Sequence, residues 1–322
     1  MHRRLVLRHL GALPLAGAAA GAFAQAAPPI RILVGFAPGG SVDALARLAG
    51  ESLQAALGRS VVVENRTGAA GRLAVEQVKA GGPEGDLLVV VPQGPMTLFP
   101  YVFRALRYDP AKDFAPISGL ASGDFALTIG PAVPARDLAG FRAWVKTAGD
   151  KASYGSPGAG TLPHFVGVSI ARAMGVPMTH VPYRGSALAM NDLAGGVLAA
   201  AVSPVTEALE LHKAGRVRII ATAGTARSPF VDDVPTLKEA GIDVDAPLWF
   251  AMYAPAATPP ALQERMRAAV HATLATPAAK ERIAKLGLVP APMGAAELVA
   301  LQKRESAMWA TVVKASGFSP SD

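Results

Sequence analysis

Leu87-Leu88-Val89-Val90-Val91 has no polar side chain in five positions. A strand apolar on both faces must be covered on both, as in parallel sheets sandwiched between helices. The segments before it alternate in the matching way. Ile30-Arg31-Ile32-Leu33-Val34 is a short β run. Leu45, Leu48, Ala49, Leu53, Ala56 and Leu57 then recur at helical spacing, with Gly58 as the stop. Val61-Val62-Val63 reads as a second strand, and a helix follows the turn at 68–71. The order β-α-β-α-β predicts an α/β fold with a doubly wound sheet.

The theme repeats downstream. Helices are expected at 138–147, with Trp144 and Val145 inward, and at 162–174, 187–193 and 206–214. Strands are expected at 178–181, 197–202, 217–222 and 248–253, and terminal helices at 260–276, 277–286 and 295–315. A chain of 322 residues is long enough for about two domains. The expectation is two α/β lobes, with the chain crossing near Gly123-Asp124 and again near Gly224. The first lobe is then discontinuous, 25–124 and 225–322, and the second runs over 125–224.

The amino terminus has a different composition. Arg3, Arg4 and Arg8 precede a charge-free stretch over 10–24 that ends Ala22-Phe23-Ala24. This pattern predicts a secretory signal over 1–24, cleaved before Gln25. A membrane anchor needs about 20 apolar residues, and Pro14 interrupts this stretch. The arginines also suggest a twin-arginine export route. The mature protein is therefore expected in the periplasm.

Cleavage changes the charge argument. The whole chain carries 31 Lys/Arg against 24 Asp/Glu, or +7. Losing three arginines leaves 28 against 24, or +4. No basic run interleaved with aromatics occurs, so a nucleic-acid partner is not expected. Zero cysteine excludes disulfides, thiolate metal sites and a cysteine nucleophile.

Two loops look built for an anion. Phe36-Ala37-Pro38-Gly39-Gly40-Ser41-Val42-Asp43 follows a strand and opens a helix. Its glycines let backbone N–H groups approach a ligand, the helix start adds partial positive charge, and Ser41 offers a cap. Tyr154-Gly155-Ser156-Pro157-Gly158-Ala159-Gly160-Thr161, followed by His164, repeats the logic. Each loop alone also reads as an ordinary turn. Neither fits G-x-G-x-x-G or G-x-x-x-x-G-K-[ST], nor does Gly155-Ser156-Pro157-Gly158 fit a nucleophile elbow. Asp43 serves equally as a first-turn residue facing the helix dipole. His164 reads as a pocket residue or a satisfied core histidine, and His180 as structural. The histidines show no metal-ligand spacing, and no paired carboxylates offer acid–base chemistry.

These loops sit among further motifs: Val63-Glu64-Asn65-Arg66, Tyr108-Asp109-Pro110-Ala111-Lys112-Asp113-Phe114-Ala115-Pro116, His180-Val181-Pro182-Tyr183-Arg184-Gly185-Ser186, Asp233-Val234-Pro235-Thr236 and Val313-Lys314-Ala315-Ser316-Gly317. In their joint order the chain resembles Bug-type extracytoplasmic solute receptors, the binding components of tripartite tricarboxylate transporters, from about Pro29 to Gly317. The resemblance implies a two-lobed type II periplasmic-binding-protein fold, with two doubly wound sheets and a ligand cleft between them. It implies a small carboxylate ligand gripped by both glycine loops and passed to membrane transporter subunits, with a sensor kinase as an alternative partner. It implies a monomer with no catalytic residue, metal or cofactor; an exported enzyme and a pocketless interaction module are the rival readings.

Carried onto this chain, the resemblance nominates Phe36, Ala37, Pro38, Gly39, Gly40, Ser41 and Asp43 from the first lobe. From the second it nominates Ser156, Gly158, Thr161, His164 and Tyr183, with Arg184 on the surface. Gln93, Thr97 and Ser203 lie where the rest of the ligand is read. There the chain departs from the family: Ala199, Ser203 and Pro204 replace acidic and Asp-Asn positions, and Gln93-Gly94-Pro95-Met96-Thr97 replaces a Ser/Thr/Gly-rich loop. Without those acids a ligand carrying a free ammonium would lack a buried partner.

Overall fold

The computed structural model describes residues 28–183 and 185–320. The signal over 1–24 and the surface position of Arg184 lie outside the described residues.

The predicted alternation forms. Strand β1 (Ile30–Val34) leads to helix α1 (Ser41–Leu57), β2 (Val61–Asn65), α2 (Arg72–Lys79) and β3 (Leu87–Pro92). Helix α1 buries Val42, Leu45, Leu48, Ala49 and Leu53 and stops at Gly58, whose φ of 63° only glycine adopts cheaply. The apolar stripe ends one turn early, since Ala56 is exposed. Two short helices, α3 (Gly94–Thr97) and α4 (Phe99–Val102), follow β3, and a long strand β4 spans Phe114–Ile129. The chain continues through α5 (Leu138–Ala148), β5 (Ser153–Ser156), α6 (Leu162–Met174), β6 (Thr179–Pro182) and α7 (Ser186–Ala194). Next come β7 (Ala200–Pro204), α8 (Val205–Lys213), β8 (Arg218–Thr222) and β9 (Pro247–Pro255). The C-terminal part adds α9 (Pro260–Ala275), α10 (Pro277–Ala284), β10 (Val289–Pro290) and α11 (Ala295–Ser316).

Strand order along one hydrogen-bonded path is β2-β1-β3-β9-β4-β7-β5-β6, with β8 and β10 also on β4. The doubly wound prediction holds at both ends of this path. Strand β1 pairs parallel with β2 and β3, and β5 pairs parallel with β6 and β7. Between them, β9 and β4 run antiparallel to their neighbours, so each sheet is mixed rather than fully parallel. Strand β4 belongs to both lobes. Phe114 to Asp124 pair with β9, and Phe125 to Ile129 pair with β7 and β8.

The two lobes share a core. One cluster runs from Ile32, Val34 and Leu45 in the first lobe to Phe141, Phe165 and Ile170 in the second. Two smaller clusters are local to each lobe, one around Val75, Val89 and Trp249 and one around Leu193, Val205 and Ile219.

Candidate functional site

The topology already places a site. In an open α/β sheet, ligands bind beyond the carboxyl ends of the strands where the winding direction reverses. The first lobe reverses between β1 and β3, and the second between β5 and β7. The first glycine loop leaves β1, Gln93-Gly94 leaves β3, the second glycine loop leaves β5, and Ser203 is the next-to-last residue of β7. These ends meet. A Cβ on Gly94 would contact Leu162 of α6 at 3.5 Å, and one on Gly160 would lie 3.8 Å from Val102 of α4. Phe318, beyond α11, packs its ring edge against His164 and Phe165, with centroids 5.7 and 5.3 Å away.

In the first loop Ala37, Pro38, Gly39 and Gly40 are all exposed. Gly39 needs its glycine, at φ 87°. The cap of α1 is Gly40, not Ser41, and no side chain caps this helix start. Its first N–H groups therefore have no intrahelical acceptor and face whatever fills the cleft. Asp43, expected among the ligand contacts, is 3% exposed and committed elsewhere. Its carboxylate accepts from Gly39 N–H at 3.1 Å, from Asn65 Nδ2 at 3.0 Å and from the Arg47 fork at 2.9 and 3.1 Å. Asn65 Nδ2 also donates to the Phe36 carbonyl at 3.0 Å. Burial pushes the Asp43 pKa up, but the Arg47, Gly39 and Asn65 hydrogen bonds outweigh it and hold the carboxyl below its usual range. Asp43 thus shapes the loop, and it also takes up the charge of Arg47. Asn65 and Arg47 were not foreseen; the Val63-Glu64-Asn65-Arg66 motif was the available signal. A Cβ on Gly71 would press on the Phe36 ring at 3.2 Å, so this glycine lets the loop seat.

The second loop is built the same way, with hydroxyls as braces. Ser156 is fully buried; its Oγ donates to the Gly158 carbonyl at 3.0 Å and lies 2.8 Å from His180 Nε2. Thr161 Oγ1 donates to the same carbonyl at 2.7 Å and does not cap α6. His164 Nδ1 accepts from Gly160 N–H at 3.2 Å, so its neutral ring carries the proton on Nε2. The His164 and His180 rings stack with centroids 3.9 Å apart. Tyr183 Oη donates to Asp192 at 2.8 Å, with its pKa pushed up to about 12 by burial and by Asp192. Its ring also fills the space beside Gly155, where a Cβ would sit 3.0 Å away.

Gln93 and Thr97 are fully buried. Gln93 clamps β9, accepting from Trp249 N–H at 3.0 Å and donating to the Pro247 carbonyl at 2.6 Å. Thr97 donates to the Gln93 carbonyl at 3.1 Å. Ser203 is fully buried beside Ala126 of β4 and donates to the Pro204 carbonyl at 3.3 Å. The polar side chains nominated from the sequence therefore gather around these four strand ends, and most of them spend their hydrogen bonds holding backbone. Among the described residues no cluster of three acidic or histidine groups is placed to hold a metal ion.

Both histidines are neutral at pH 7. Burial lowers each pKa to about 4, and for His180 the neighbouring His164 adds to the shift. The unfolded chain, with histidines near pH 6.5, binds these protons first. Stability is therefore complete above about pH 6.5 and falls as pH drops towards about 4. The expected loss is about 3 kcal/mol per histidine across that window. Thermal melts of wild type and of a His164→Gln/His180→Gln variant check it, since the variant should lose this pH dependence.

The chain matches the family described as tripartite tricarboxylate transporter family receptor over residues 45–318. It is 33% identical over 282 residues to the UPF0065 protein in the gbd 5′ region of Cupriavidus necator, covering 87% of this chain and 85% of that one. Its structure resembles MatC from Rhodopseudomonas palustris with bound malate, with a TM-score of 0.79, 30% identity and coverage of 88% and 98%. It also resembles an R. palustris protein solved with adipate, with a TM-score of 0.83, 28% identity and coverage of 91% and 98%. The fold, the paired glycine loops at both switch points and the match over most of the length agree, and the chain belongs to the tripartite tricarboxylate transporter receptor family.

Proposed function

We propose that this protein is a periplasmic receptor that closes its two lobes on a small organic carboxylate and delivers it to the membrane subunits of a tripartite transporter. One observation carries the reading. Each glycine loop opens a helix, α1 or α6, with no side-chain cap, at the switch point of its lobe. Uncapped helix starts present N–H donors and partial positive charge, which suit a carboxylate. Arg47 is paired with Asp43 and both histidines are neutral, so backbone dipoles rather than cations hold the anion. Each charge-assisted hydrogen bond contributes about 1.5–3 kcal/mol, while micromolar binding requires about −8.2 kcal/mol. Both loops are therefore needed. Ligand shifts the lobes towards closure only by its stronger affinity for the closed form.

The malate and adipate bound by the two R. palustris relatives support an organic acid as cargo. Ser203 and Pro204 supply no carboxylate at the cleft end of β7, which favours an acid without an ammonium group. Ala199, expected beside them, instead lies at the far end of β7, where its carbonyl accepts from Gly130 N–H at 3.0 Å. The lobes divide at 25–124 with 225–322 and at 125–224. Gly224 packs on the Asp124 carboxylate, which supports a paired crossing there. The protein acts by binding, without covalent turnover. No described helix is long and apolar enough to cross a membrane.

A melting-temperature screen against mono-, di- and aromatic carboxylates, with amino acids as controls, tests the reading. The cargo acid should stabilise the protein by about 2.7 kcal/mol at a hundredfold excess over its Kd. Stabilisation by an uncharged solute and by no acid would overturn it.

A further inference from the structure

The small positive surplus of the mature chain is not spread evenly. Arg136 lies just past the end of β4, while Arg216 and Arg218 flank the buried Val217 at the start of β8. All three are exposed. Together with His212 they line one cavity of about 490 Å³. None of its 12 lining positions is Asp or Glu. Some arginines elsewhere pair with carboxylates, as Arg31 with Glu64, Arg47 with Asp43 and Arg282 with Glu51. Arg136, Arg216 and Arg218 are in none of the ion pairs among the described residues. The nearby acids are occupied. Asp137 caps α5 by accepting from Gly140 N–H at 2.7 Å, and Glu210 pairs with Lys213 at 3.1 Å.

The cavity is separate from the cleft. Ile129 pairs with Ala200 at the start of β7, whereas the cleft lies at the other end of that strand, where Phe125 pairs with Pro204. Pro131 and Pro134 stiffen one of its walls. Its volume falls in the range of about 300–1,000 Å³ found for small-ligand sites. Guanidinium groups stay charged and repel one another when gathered on one concave wall. A dianion removes that repulsion, and the forked donors of arginine match phosphate oxygens two at a time. His212 Nδ1 is occupied by the Ile219 N–H at 3.2 Å, which leaves Nε2 as a further donor.

We propose that this pole of the second lobe is a distinct site for a phosphate group, lined by Arg136, Arg216 and Arg218. The group is either free phosphate or the headgroup of an anionic phospholipid. Calorimetric titration of the mature protein with inorganic phosphate tests the first source. Co-sedimentation with phosphatidylglycerol vesicles, against phosphatidylcholine vesicles, tests the second. Binding to at least one is expected, weakening as salt rises. An Arg136→Ser/Arg216→Ser/Arg218→Ser variant should bind at least tenfold more weakly, and Arg216→Gln alone should weaken binding by a smaller factor. Gly40→Val, which disables the cleft, should leave this binding within twofold of wild type. Phosphate binding without vesicle retention assigns the free anion, and the reverse assigns the headgroup. No binding to either, undiminished binding by the triple variant, or loss of binding in Gly40→Val would overturn the proposal.

Discussion

Gly40→Val should reduce carboxylate affinity at least a hundredfold while the protein still folds. Gly40 sits at φ −81° and ψ 174°, a conformation open to any L-residue. An added Cβ would meet only the Ala37 carbonyl, at 3.9 Å. The protein itself therefore leaves room for the side chain at the start of α1. Valine is a poorer cap than glycine, which costs up to about 1 kcal/mol of stability. Blocking the approach to the N–H donors of α1 removes one or two charge-assisted bonds at about 1.5–3 kcal/mol each, hence the hundredfold loss. Calorimetry with the cargo acid and a thermal melt separate the two effects. Gly39→Val makes the contrast, because φ 87° strains any other residue and its variant should lose stability as well. Unchanged affinity in Gly40→Val would reduce the first loop to a turn.

Asp43→Ala should lower both stability and affinity. The carboxylate holds Gly39, Asn65 and Arg47 at once while only 3% exposed. Its removal leaves one Asn65 donor without a partner and frees the loop to wander. The expected cost is about 2–3 kcal/mol of stability, since Arg47 is half exposed and can turn to water. Affinity should fall about tenfold even though Asp43 touches no ligand, because each N–H must then be ordered on binding. Asp43→Asn keeps the shape but sets an amide donor against Asn65 or Arg47, so it should recover only part of the loss. Calorimetry on both variants reads the affinity, and denaturant melts read the stability. An Asp43→Ala protein with wild-type affinity would mean that the loop orders itself.

Much of the fold could be read from local pattern. The apolar run at 87–91 became a strand covered on both sides, and the stripe from Leu45 to Leu53 became the buried face of α1. Strand β4 was missed. Pro116, Gly119, Gly123 and Asp124 break its alternation, and its register shifts twice against β9. Its partners lie far away in sequence, so only long-range pairing with β9, β7 and β8 makes it a 16-residue strand. The antiparallel course of β9 has the same origin: local periodicity carries no direction.

The site divides along a similar line. Glycine spacing between strand and helix marked both loops, because a backbone that must approach an anion cannot carry Cβ atoms there. The family resemblance put Asp43, Ser156, Thr161 and Gln93 on the ligand side. Folding turned each of them towards backbone, since buried polar groups must be satisfied and the nearest partners were the loops themselves. The pairing of His180 with Ser156, the seating of Phe318 on His164 and the convergence of three arginines at one pole join residues from separate elements. Glycine spacing singled out the two loops proposed to meet the anion. Packing assigned the roles, because hydrogen bonds are made to whatever the tertiary fold brings within 3 Å or so, and sequence distance does not enter.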